Sequence, residues 1–161
     1  MRNIFLALVI FCGCSVHAEE AMTFGVVEVR ATLSLLKWVV QKYEDPRIQI
    51  LSIPPVRILT KEKFEEKFCG GKRCRVAAAA YDGAIFFNEL DPSKDEFSLS
   101  ILLHELVHVV QEIVRKKDTQ TCAEIVRDEQ HAYAWQQQWL LEQGNHVTVL
   151  MQPLVCNIYP H

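Results

Sequence analysis

Apolar residues recur along this chain first at helical spacing, then at strand spacing, then at helical spacing again. Between Phe24 and Tyr43, the residues Val26, Val27, Leu33, Leu35, Leu36, Val39 and Val40 form one apolar stripe. That spacing predicts an amphipathic helix, which Asp45-Pro46 stops. Ile48 to Leu51 and Val56 to Leu59 read as strand, interrupted at Pro54-Pro55. Lys61 to Phe68 reads as a short helix. Asp82-Gly83 then separates two runs of strand character, Arg75 to Tyr81 and Ala84 to Asn88. Asp and Gly tolerate the left-handed backbone that a two-residue turn requires, so this segment predicts a hairpin.

Two longer helices follow, about Lys94 to Lys117 and Cys122 to Gln143. Ser93 with Glu96 matches a capping box, Asp95 and Glu96 suit the positive end of the helix dipole, and Arg115, Lys116 and Lys117 suit its negative end. Thr121 with Glu124 is a second capping box. In the first long helix Leu99, Ile101, Leu102, Leu103, Leu106, Val107, Val109, Val110, Ile113 and Val114 surround the axis, as in a helix buried on most sides. The layout is α+β, a small sheet with its hairpin packed on helices.

Arg2 precedes an unbroken apolar run from Ile4 to Phe11, and Val16-His17-Ala18 ends in a small residue, the pattern of a cleaved export signal over residues 1–18. A periplasmic or extracellular location follows for one domain over residues 19–161. Gly13-Cys14 after the apolar run allows a lipid anchor at Cys14 as an alternative. The leader is too short for a permanent span, and no later segment is read as both long and uncharged enough. Without Arg2 the chain keeps 16 basic residues against its 20 acidic ones, a net charge of −4, which argues against nucleic acid as a partner. Four of the six cysteines lie beyond the leader: Cys69, Cys74, Cys122 and Cys156. In an oxidising compartment they read as two disulfides, with Cys69–Cys74 around Gly70-Gly71-Lys72-Arg73 favoured and Cys122–Cys156 left over. A four-cysteine metal site is the competing reading, but the paired spacing of zinc knuckles is missing.

Polar residues in the middle of a buried helix need a reason. His104 and His108 are four residues apart, so their rings project from one helical face and can grip one metal ion. Glu105, about 100° around the axis, can reach a water on that ion without ligating it. Burying three such groups unpaired costs several kcal/mol, roughly, and a zinc ion removes that cost. A catalytic zinc takes three protein ligands, so a third must come from elsewhere. Glu124, Asp128, Glu129 and His131 compete on the next helix. Glu124 has a capping role. Glu129 has Ile125 and Val126 a turn before it and Ala132 and Tyr133 a turn after, so its carboxylate emerges from the apolar face and needs a cation. His131 lies off that face, next to Arg127, Asp128 and Trp135.

His104-Glu105-Leu106-Val107-His108, followed by Glu129-Gln130-His131-Ala132-Tyr133, resembles the gluzincin group of zincin metallopeptidases. The run Leu103 to Gln111 is also similar to the active-site helix of small bacterial zincin-like proteins. The resemblance covers about Ala78 to Leu141, including the hairpin, and implies His104, His108 and Glu129 as zinc ligands with Glu105 as base. Many gluzincins carry Asp four residues after the ligand glutamate, where this chain has Tyr133. The implied chemistry is hydrolysis of a peptide or protein substrate: Glu105 accepts a proton from a water whose pKa Zn2+ lowers towards about 7. Tyr133 can donate to the resulting oxyanion, or serve as an aromatic core residue. Gln111, three residues after His108, is a candidate to support a ligand. The alternative function is a non-catalytic exported zinc-binding or interaction module with a structural ion.

Overall fold

A strand whose two faces meet different cores organises the molecule. In β4 (Ala84–Asn88) the first four residues are buried, and successive side chains leave opposite faces of a strand. Ile85 and Phe87 belong to the main hydrophobic core, whereas Ala84 and Phe86 join Leu59 and Phe64 in a smaller one. The computed structural model describes residues 22–23, 26–43, 45, 48, 52–115 and 120–151. The expected leader and Cys14 lie outside the described residues.

The fold is α+β. Its sheet has the order β1-β2-β4-β3, with β1 (Met22–Thr23), β2 (Val56–Leu59) and β3 (Ala78–Tyr81) around β4. The expected hairpin is β3 and β4, paired antiparallel with Tyr81 opposite Ala84. Asp82 and Gly83 both take left-handed backbone, φ 50 and 69°, as a two-residue turn demands. Sequence pattern did not foresee that β2 runs parallel to β4, nor the two-residue β1 beside β2. Parallel pairing needs a crossover, and α2 (Lys61–Cys69) lies within it. Thr60 caps that helix by accepting from the Lys63 backbone N–H, and Phe64 is fully buried against the sheet.

The opposite sheet face carries α3 (Glu96–Val114), which packs between the sheet and two further helices, α1 (Val26–Lys42) and α4 (Cys122–Glu142). Leu102, Leu103, Leu106, Val107 and Val110 are at most 1% exposed. Each such burial contributes about 1.5–3 kcal/mol, which pins α3 at the centre. By length and composition α3 would also pass for a membrane span, contrary to the sequence reading. Its burial against sheet and helices on several sides accounts for that apolarity.

Three local expectations are corrected. The cap of α3 is Asp95, which accepts from the Ser98 N–H at 2.8 Å. Ser93 instead turns back on Asp91, its N–H and hydroxyl both donating to that carboxylate, so no Ser93–Glu96 box forms. The helix also ends at Val114, leaving Arg115 as its C-cap and no basic residue in the last turn. Ile48 sits in a single 3-10 turn rather than a strand, and residues 49–51 lie outside the described residues. Cys69 and Cys74 form the expected disulfide. Cys122 is disulfide-bonded too, but Cys156, and with it the Cys122–Cys156 pairing, lies outside the described residues.

Candidate metal centre

Because α3 is buried on most sides, the side chains on its α4 face are held in place by both helices. His104 and Glu105 are each 7% exposed, and His108 lies half-buried one turn on. The start of α4 is fixed by the expected capping box: Thr121 accepts from the Glu124 N–H while Glu124 accepts from the Thr121 N–H. Glu124 is therefore the cap read from sequence. Polar contacts then lock the helices together. The Asp128 carboxylate accepts from Arg115 at 3.0 Å and from Gln120 at 2.6 Å, and the buried Gln136 amide donates to the Ser100 hydroxyl at 2.9 Å.

This register brings Glu129 across to the histidines. Its Oε2 lies 3.4 Å from His104 Nε2, its Oε1 3.3 Å from His108 Nε2, and the two ring nitrogens are 3.1 Å apart. Among the described residues, His104, His108 and Glu129 form the one group of three such side chains whose ligand atoms converge, all within 4.8 Å. Zinc bonds of about 2.0–2.1 Å in tetrahedral array set ligand-to-ligand distances near 3.3–3.4 Å, roughly, which these separations approach. Lone pairs meeting at this range repel unless a cation or proton lies between them. The donor set, two imidazoles and one carboxylate, suits zinc or another divalent first-row transition metal. The three side chains fit a divalent ion.

The electrostatics of the cluster favour a positive charge beside its two carboxylates. Burial disfavours charge on His108, but a hydrogen bond to Glu129 and the charges of Glu105 and Glu129 outweigh it and carry the ring to a pKa of about 9. Burial likewise works against the Glu129 carboxylate, yet its contacts with His104 and His108 hold it down to about 2. Burial, then the charges of Glu129 and Glu105, raises the Tyr133 pKa, which keeps its hydroxyl a donor.

Of the other sequence candidates, Glu105 makes no hydrogen bond or ion pair among the described residues, though its charge acts on His108 and Tyr133. The Tyr133 ring packs edge-on to His104, centroids 4.5 Å apart. Asp128 is engaged by Arg115 and Gln120, and His131 packs on Trp135 and Tyr43 rather than on the cluster. Gln111 donates from its amide nitrogen to the Asp128 carbonyl oxygen at 2.9 Å, and its Oε1 is 2.8 Å from His108 Nδ1. The Ser100–Gln136 pair was not anticipated. Its one sequence signal was a pair of polar residues on otherwise apolar helix faces.

The chain belongs to the family described as domain of unknown function DUF6647, which matches residues 29–157 and so covers both helices of the site. No curated protein and no solved structure shows significant similarity to it.

Proposed function

We propose that this protein is an exported zinc-dependent hydrolase, a peptidase or amidase, acting on extended polypeptide or a cell-wall peptide. The observation that carries the reading is the meeting of His104, His108 and Glu129 beside the Glu105 carboxylate, which has no ion-pair partner among the described residues. A purely structural ion has no use for a buried acid that is neither ligand nor ion-pair partner, so Glu105 favours catalysis over the non-catalytic zinc module. Export is supported by the sequence of residues 1–18 and by the Cys69–Cys74 disulfide.

His104, His108 and Glu129 would hold the ion. When bound, zinc supplies a Lewis acid that makes water nucleophilic near neutral pH and offsets charge on a carbonyl oxygen. Glu105 takes the proton that water loses as its oxygen bonds to the carbonyl carbon, then returns it to the amine nitrogen as the C–N bond breaks. Tyr133, beside His104 and held in its protonated form, donates to the carbonyl oxygen as charge develops there.

The test is zinc content and cleavage of a mixed peptide library by the mature protein, beside Glu105→Gln. The expected result is one zinc per chain in both proteins and cleavage lowered by at least about a hundredfold in the variant. Equal cleavage by both would remove Glu105 from the chemistry.

A further inference from the structure

Gln111 is 6% exposed, and its two amide contacts leave one consistent assignment of hydrogens. Its Nε2 lies 2.9 Å from the Asp128 carbonyl oxygen, which can only accept, so the NH2 group must face that way. The amide oxygen then faces His108, with Oε1 2.8 Å from Nδ1. An amide oxygen also only accepts, so Nδ1 carries a proton. In the neutral ring Nε2 is consequently a bare lone pair. That atom is the one 3.1 Å from His104 Nε2 and 3.3 Å from Glu129 Oε1.

We infer that Gln111 is the positioning residue of the centre: it sets the His108 tautomer so that Nε2 is the ligating atom, and it ties that ring to the backbone immediately before Glu129. One side chain thereby fixes two ligands that stand on different helices. The inference rests on the metal reading above and deepens it. His104 has no such support, because its Nδ1 is buried without a hydrogen-bond partner among the described residues. The two histidines are thus unequal: His108 is oriented by the protein before any ion arrives, and His104 is held by packing against Tyr133.

Two readouts test this. The first needs no metal: long-range 1H–15N correlation of the metal-free wild type, at a pH where the ring is neutral, is expected to place the His108 proton on Nδ1. A proton on Nε2 overturns the assignment. The second is zinc affinity by competition with a chromophoric chelator. Gln111→Met keeps length and packing but neither hydrogen bond, and it is expected to weaken zinc binding about 10–100-fold. Gln111→Glu, which keeps an acceptor opposite Nδ1, is expected to retain more affinity than the methionine variant. Wild-type zinc uptake with an unaffected Gln111→Met overturns the role of Gln111 alone. A wild type that takes up no zinc overturns the metal reading, and the ligand role of His108 with it.

Discussion

Glu129→Gln replaces one of the three proposed ligands with a neutral group of the same shape. Zinc sites with four ligands contribute about 10–16 kcal/mol in all, so one ligand is worth about 3 kcal/mol, a hundredfold or more in affinity. At free zinc 100 times the wild-type Kd, binding stabilises the fold by about 2.7 kcal/mol. For a domain of this size that corresponds to a rise in Tm of about 5–11 °C. At the same zinc concentration the variant is at best half-saturated, which leaves about 0.4 kcal/mol and a rise of 1–2 °C, roughly. The assay is thermal unfolding with and without zinc, comparing the zinc-induced rise rather than absolute Tm, since the substitution also leaves the His108 ring without its carboxylate partner. Glu124→Gln is the control, because Glu124 serves the Thr121 capping box; it should keep the full rise. A full rise in Glu129→Gln would refute the assignment of this carboxylate as a ligand.

Other consequences can be measured separately. Leu106→Ala, at a fully buried position in α3, should cost about 2–5 kcal/mol in denaturant unfolding. Asp95→Ala removes the α3 cap and should cost about 1 kcal/mol near neutral pH. The Ser98 backbone N–H, first among several contacts, lowers the Asp95 pKa from 3.8. The ionised cap therefore stabilises the fold above that value and is lost as pH falls through the lower folded pKa, so wild type and variant should converge in acid. Replacing Cys69 and Cys74 together by serine opens a short loop, sequence separation 5, and should cost about 2 kcal/mol. Each is refuted by a stability equal to that of the wild type under the same conditions.

What was legible in the sequence was local. The His104-Glu105-x-x-His108 spacing, the isolated charge of Glu129 on an apolar face, the Thr121–Glu124 box and the Asp82-Gly83 turn each lie within one or two helical or strand periods, and each is found in the structure. Long-range pairing was not legible. Nothing in Val56–Leu59 says that its neighbour is β4 rather than β3, because parallel pairing is decided by the crossover through α2. The start of α3 was misplaced by competition between two good caps two residues apart: Ser93 satisfies Asp91 instead, leaving Asp95 to the helix. Gln111 could be suspected from its spacing to His108, but its second contact, a backbone carbonyl on α4, has no side-chain signature at all.

On the proposed reading, one divalent ion is held by two imidazoles and a carboxylate between α3 and α4. Zinc K-edge X-ray absorption of the loaded, mature protein tests it most directly. The expected result is one zinc per chain with nitrogen and oxygen neighbours at about 2.0–2.2 Å and imidazole scattering from two rings. Sulfur neighbours at about 2.3 Å, or no stoichiometric zinc, would contradict it.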